Sequence, residues 1–141
     1  NIAILAGSLG KIMALDKRTG NRVWFKDITT TKTPLVYKNS IFTVDNNKEI
    51  VNLDVKSGNS RWTTKINESL SQGYYNIWHS PVLINSKLLI VGGDKKMLIM
   101  DPETGKIEQV KKLPSLPSSS PFVVDEKVYL MLRNADIVTI E

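Results

Sequence analysis

The sequence contains no cysteine and a single histidine, His79. Without cysteine there is no disulfide framework, no thiolate metal site and no cysteine nucleophile. One imidazole without a paired acid or nucleophile provides neither a catalytic triad nor a metal-binding geometry, so we interpret His79 as a hydrogen-bonding loop residue. No apolar stretch approaches the roughly 18 residues of a membrane-spanning helix, and no secretory signal peptide opens the chain. If the parent protein is exported, we expect its targeting signal to lie outside these residues.

The composition is that of a soluble globular protein. The chain has 141 residues, of which 41% are hydrophobic and 23% are charged, and its net charge is +5. Residues 1–66 carry 11 Lys and Arg against 5 Asp and Glu, a net charge of +6. A basic half can meet nucleic acid, an anionic membrane or an acidic protein face. Most of these lysines stand singly where turns and strand edges are expected, so we predict no nucleic-acid partner.

An internal repeat organises the chain. Residues 10–24, 48–62 and 95–109 align without gaps around a turn of the form Asp-x-x-Thr/Ser-Gly. A second landmark keeps the same register, because a proline opens an apolar run 20 residues before the turn aspartate in the second and third repeats. The repeat positions are Asp16, Gly20 and Trp24, then Asp54, Gly58 and Trp62, then Asp101 and Gly105.

Each repeat predicts four short antiparallel strands, which is the unit of a β-propeller blade. We therefore predict an all-β fold, a β-propeller fragment of about three and a half four-stranded blades. The predicted blades form one propeller domain. Residues 1–32 are a partial blade of three strands, 33–79 a complete blade with a long connection, 80–119 a complete blade and 120–141 a partial final blade. A closed ring needs at least about four blades, so we expect this chain to be part of a longer protein.

The repeat residues have structural roles in this interpretation. An aspartate that begins a turn accepts hydrogen bonds from the turn's own amides, and a glycine closes the turn in the left-handed conformation. One indole per blade fills the wedge between blades. The third repeat has Gln109 in place of the tryptophan, so we expect looser packing there or a substitute from Trp78. Calcium binding by the aspartates is the alternative, but whole blades separate them, and a hard cation needs several converging oxygens.

The first repeat resembles a known motif. The segment from Ala14 to Trp24 is similar to the tryptophan-docking motif of quinoprotein-type (PQQ-like) propeller repeats, Ala-x-Asp-x-x-x-Gly-x-x-x-Trp. The second repeat departs from it at Asn52, and the third departs at Ile99 and Gln109. This motif is specific for the fold and not for the quinone, and we predict no cofactor and no metal.

A closer resemblance covers nearly the whole chain. Residues 10–24, 40–47, 80–94, 97–112 and 120–132 resemble the C-terminal part of the BamB family, lipoprotein subunits of the machinery that assembles outer-membrane β-barrels. The resemblance implies a periplasmic, outer-membrane-associated scaffold that is not an enzyme. It implies binding to the periplasmic repeats of the barrel-assembly protein, and membrane attachment only through a lipid anchor outside this chain. Two alternatives stay open, a blade segment of a quinone-dependent dehydrogenase and a sensor ectodomain.

The long connection between the second and third predicted blades is the candidate partner site. Residues 63–79 exceed the length that a short blade connection needs, and they carry Tyr74, Tyr75 and Trp78. Aromatic side chains on a long loop are typical anchors of a protein interface. The alternative is that these side chains fold back onto the neighbouring blade as a cap.

Overall fold

The computed structural model describes residues 1–7, 9–70 and 76–140. These residues form two compact units, 1–65 and 66–141. Among them no helix is long and apolar enough to cross a membrane. A 3₁₀ turn spans Glu68–Leu70. The strands are β1 (Ile2–Gly7), β2 (Lys11–Asp16), β3 (Arg22–Asp27), β4 (Leu35–Tyr37), β5 (Ser40–Val44), β6 (Glu49–Asp54), β7 (Ser60–Lys65), β8 (Val82–Ile84), β9 (Lys87–Gly92), β10 (Lys96–Met100), β11 (Ile107–Lys112), β12 (Phe122–Val124), β13 (Lys127–Met131) and β14 (Ile137–Ile140).

The fourteen strands of the described residues form four antiparallel sheets, which are called blades 1 to 4 below. Blade 1 has the order β1-β2-β3 and blade 2 the order β4-β5-β6-β7. Blade 3 has the order β8-β9-β10-β11, and blade 4 the order β12-β13-β14. Neighbouring strands are consecutive in the chain, which is the simple meander that short turns between apolar runs predict.

The same irregularity recurs in three blades. Between the last two strands of the blade the pairing register shifts once, after Ala14 in blade 1, after Asn52 in blade 2 and after Ile99 in blade 3. A bulge increases the local twist of a strand pair. Because it falls at the same place each time, the residues opposite these three positions are structurally equivalent.

In each unit the faces of two blades pack together. A strand alternates its side chains between two faces, so every second residue of a strand can enter such a core. In unit 1–65 the buried cluster consists of Ile12, Ile41, Val51 and Leu53. In unit 66–141 it consists of Leu89, Val91, Met97, Leu113, Val128, Leu130 and Leu132.

The segments between blades are held by the blade that follows them. The amide of Asn46 donates to the carbonyl of Thr29 over 2.9 Å, and the amide of Gly93 donates to that of Ile77 over 3.2 Å. The amide of Arg133 donates to the carbonyl of Leu116 over 2.8 Å. Thr30 is buried and adds a bond from its hydroxyl to the carbonyl of Val44. These bonds tie Thr29, Thr30, Ile77 and Leu116 to the blades that follow them.

Candidate protein-interaction surface

The repeat aspartates cap their own turns. In each turn one carboxylate oxygen, Oδ1, accepts hydrogen bonds from the amides two and three residues later. The donors are Arg18 and Thr19 to Asp16, Lys56 and Ser57 to Asp54, and Glu103 and Thr104 to Asp101, over 2.7 to 3.1 Å. The turn glycines have φ angles of +72°, +71° and +73° at Gly20, Gly58 and Gly105.

These hydrogen bonds favour the ionised carboxylates. The amides of Thr19 and Arg18 lower the pKa of Asp16, and the turn amides lower that of Asp101 in the same way. The pKa of Asp54 is lowered to about 2. The largest cause is the Arg61 guanidinium, whose Nη2 lies 2.6 Å from Oδ2 of Asp54. In the described part of the chain no three acidic or histidine side chains gather into a metal-binding group.

Trp24 joins the first repeat to the second. Its indole Nε1 donates to the carbonyl of Val55 over 2.9 Å. The ring covers Gly58, where an added β-carbon would stand 2.6 Å from the indole Cε3. Gly58 is itself buried. The tryptophan of one repeat thus packs on the glycine of the next.

Trp78 lies inside the protein in this structure, with 3% of its surface exposed. Residue 78 forms an antiparallel bridge with Gly92 at the end of β9. A β-carbon on Gly92 would lie 2.6 Å from Cα of Trp78, and one on Gly93 would lie 2.8 Å from the indole Cζ2. The indole thus occupies a recess that only glycines leave open. This arrangement matches the alternative in which the connection folds back onto the neighbouring blade.

Tyr74 and Tyr75, the other two candidate anchors, lie outside the described residues. A partner contact through these tyrosines stays a prediction. Contact through Trp78 stays a prediction as well, and would require the buried indole to be uncovered.

Ile77 is a large hydrophobic residue of this connection that the structure leaves 48% exposed. Ile77 and His79 flank the inward-pointing Trp78, because successive residues of an extended segment face opposite ways. Together with Leu116, Pro117 and Arg133 from the next connection and blade, they line a shallow depression of about 10 Å³. We name these five residues the connection surface. The volume of the depression is far below the roughly 300 to 1,000 Å³ of small-molecule pockets, so the depression does not enclose a small molecule.

Sequence reasoning had not singled out Ile77 and Arg133. The prediction of a partner site rested on the aromatic residues of the connection and did not consider the aliphatic residue that lies among them in the sequence. The glycine pair at 92–93 was the available signal, since paired glycines at a strand end indicate a close approach by another segment. If Trp78 packs against these glycines, Ile77 must point the opposite way, because successive side chains of an extended segment face opposite sides.

Comparison with known proteins supports a specific resemblance. No protein-family model matches the chain. BamB of Escherichia coli, an outer membrane protein assembly factor, is 24% identical over 132 residues, which are 93% of this chain and 32% of that protein. The chain therefore spans about a third of the length of the curated relatives it matches.

Solved structures give the same result for the fold. The structure of BamB from Moraxella catarrhalis has a TM-score of 0.78 at 21% identity, covering 99% of this chain and 46% of that one. Quinohemoprotein alcohol dehydrogenase from Comamonas testosteroni has a TM-score of 0.69 at 22% identity, covering 84% of this chain and 20% of that one. The predicted all-β propeller fold is confirmed, and so is the resemblance to PQQ-like repeats and to BamB.

Proposed function

We propose that this chain is part of a non-enzymatic scaffold that assists the assembly of outer-membrane β-barrel proteins. The observation that carries the proposal is the similarity to BamB over 93% of the chain. The relatives that match are named as outer membrane protein assembly factors, which supports a binding role rather than a catalytic one. By the same resemblance, we propose a periplasmic location at the outer membrane, with a lipid anchor outside this chain.

The proposed partner is the set of periplasmic repeats of the barrel-assembly protein, and the proposed contact is the connection surface. Ile77 supplies an exposed apolar side chain, and Arg133 supplies a cation beside it. An apolar centre with a polar rim is the usual anatomy of a protein interface. The backbone bonds of Gly93 to Ile77 and of Arg133 to Leu116 hold both residues in place before binding. Such preorganisation reduces the entropic cost of association.

The test is binding of this chain to the soluble periplasmic repeats of the barrel-assembly protein, measured by biolayer interferometry. We expect saturable binding that Ile77→Ser and Arg133→Glu each weaken about tenfold or more, as for central interface residues. Val110→Ser is the matched control, because Val110 is 46% exposed but lies on β11, outside the connection surface.

Circular dichroism and thermal unfolding must show that all three variants fold as the unmodified chain does. If the folded chain does not bind the repeats, the proposal that this chain contacts them is wrong. If it binds and the control weakens binding as much as Ile77→Ser, the partner stands and the connection surface is the wrong contact.

A further inference from the structure

One pair of facing residues ends the pairing of the last two strands in each of blades 1 to 3. In blade 1 this pair is Lys11 and Asp27, and the ammonium of Lys11 lies 2.6 Å from Oδ1 of Asp27. In blade 2 the equivalent pair is Glu49 and Lys65, which are again of opposite charge. In both blades the chain itself therefore supplies one ammonium and one carboxylate at this position.

Blade 3 departs from this pattern, because both of its equivalent residues are lysines. Lys96 and Lys112 stand directly opposite each other across β10 and β11. Opposite residues of an antiparallel pair have β-carbons about 4.5 to 5.5 Å apart, and like charges at that separation are destabilising. Lys95 precedes Lys96 and adds a third ammonium. We name Lys95, Lys96 and Lys112 the lysine corner.

The charges of the lysine corner are not matched by the protein. No carboxylate of the described residues lies within ion-pair distance of its three ammonium groups. The ammonium of Lys96 donates to the backbone carbonyl of Ser69 over 2.9 Å, and this neutral acceptor leaves its charge in place. Asp94 and Glu68 adjoin Lys95 and Ser69 in the chain, so positive charge stays in excess. An anion between Lys96 and Lys112 would offset their repulsion.

We propose that the lysine corner holds a carboxylate side chain of the protein partner, in the place that Asp27 takes in blade 1. The proposal rests on the function proposed above and adds the chemistry of the partner, an aspartate or glutamate beside the segment that covers Ile77. The corner adjoins the connection surface, because Gly93, two residues before Lys95, lines the same depression as Ile77. The amide of Leu113 also donates to the carbonyl of Lys95 over 2.7 Å.

An anionic membrane is the other surface that lysines attract. Basic segments that bind membranes carry clusters of about four to eight Lys and Arg, whereas the lysine corner has three lysines and an aspartate next to them. In blade 1 the equivalent lysine binds a single carboxylate, and the side chain of Asp27 is 78% exposed. A carboxylate that arrives from solvent can therefore occupy this position. These observations favour one acidic side chain over a membrane surface.

Two substitutions of Lys112 test the preference for a carboxylate without a partner. Lys112→Asp recreates the lysine–aspartate pair of blade 1, whereas Lys112→Gln removes the same charge and supplies no carboxylate. We expect the Asp variant to unfold at a higher temperature than the Gln variant at low salt. The difference should vanish in about 1 M NaCl, where the Debye length is about 3 Å.

Lys106 provides the matched control for this comparison. It is exposed, adjoins the other end of β11 and has no carboxylate within ion-pair distance among the described residues. The Asp and Gln variants of Lys106 measure the effect of net charge alone. An Asp-to-Gln difference no larger at position 112 than at position 106 overturns the proposal.

Binding measurements test whether a partner uses the corner. In biolayer interferometry with the soluble periplasmic repeats at low salt, Lys112→Gln should weaken binding about two- to fivefold, as for an exposed ion pair. Lys112→Asp should weaken it more, because its own carboxylate occupies the corner and repels that of the partner. Lys106→Asp should weaken it less than Lys112→Gln. Equal effects at positions 106 and 112 overturn the proposal.

Dye-labelled hexaglutamate, read by fluorescence anisotropy, separates the corner from the proposed function. If the repeats do not bind but hexaglutamate binds more weakly to Lys112→Gln than to Lys106→Gln, the proposed function fails and the lysine corner stands as a carboxylate site. Hexaglutamate binding that both variants reduce equally overturns the proposal. Phosphatidylglycerol vesicles that bind the chain through Lys112, with no such dependence for hexaglutamate, overturn it in favour of a membrane.

Discussion

The indole of Trp24 covers Gly58 so closely that a β-carbon at position 58 would stand 2.6 Å from its Cε3 atom. The contact joins residues 34 positions apart, in consecutive repeats. Two features therefore require glycine at position 58: the left-handed turn that it closes and the indole that rests on it. Gly20 has the same φ within a degree, but no atom lies within 4 Å of its would-be β-carbon.

This pair of glycines separates backbone strain from steric clash. Gly20→Ala should destabilise the protein by about 1 kcal/mol, the cost of placing an L-residue in the left-handed region. Gly58→Ala should add about 1 to 3 kcal/mol to that cost, because the indole must move. Urea unfolding of the two variants measures the difference. Equal losses of stability in both variants would show that the indole yields without cost.

The hydrogen bond of Trp24 can be tested apart from its packing. Trp24→Phe retains an aromatic ring on Gly58 but removes the Nε1 donor, leaving the carbonyl of Val55 without this partner. We expect a loss of about 1 to 3 kcal/mol, which combines a smaller ring with one lost hydrogen bond. Thermal unfolding measures it. If Gly58→Ala costs less stability in the Trp24→Phe background than in the unmodified chain, the smaller ring leaves room for the methyl group, a coupling that the cycle of variants quantifies.

The sequence was sufficient to predict the sheets but not every side chain on them. The repeat around Asp16, Asp54 and Asp101 is local, so turn chemistry and strand periodicity place it within a residue or two. The burial of Trp78 depends on Gly92 and Gly93, which approach it from another strand. Such a contact leaves no periodic signal in either segment. For that reason the sequence predicts Trp78 as an interface anchor on a long connection, whereas the structure buries its side chain.

The Asp54–Arg61 pair predicts a specific dependence of stability on acid. In the folded protein the pKa of Asp54 is about 2, below the ordinary 3.8, so folding favours the ionised carboxylate. The resulting stabilisation is complete above pH 3.8 and is lost as the pH falls through 2. Arg61→Gln removes the largest cause of the lowered pKa, so it should raise the pKa of Asp54 toward 3.8. The pH interval over which the stabilisation is lost should become narrower.

The carboxyl resonance of Asp54, followed by NMR during an acid titration, measures this pKa directly. Asp16 provides an internal control, because the backbone amides of Thr19 and Arg18 lower its pKa and no guanidinium is among the causes of that shift. A lowered pKa that persists at Asp54 in the Arg61→Gln variant would assign the effect to the turn amides of Ser57 and Lys56 instead.

Thr30 predicts how firmly the first connection is held. Its buried hydroxyl donates to the carbonyl of Val44 over 2.7 Å and accepts from the amide of Lys32 over 3.0 Å. Thr30→Val preserves the shape but leaves both backbone groups without this partner, so we expect a loss of about 1 to 3 kcal/mol. Thr31→Val is the matched control, since Thr31 is exposed, and it should change stability by less than about 0.5 kcal/mol.

Hydrogen exchange at the Lys32 amide measures the local effect. Faster exchange there in the Thr30 variant alone would show that one hydroxyl fixes the connection to blade 2, and equal exchange in both variants would contradict that role.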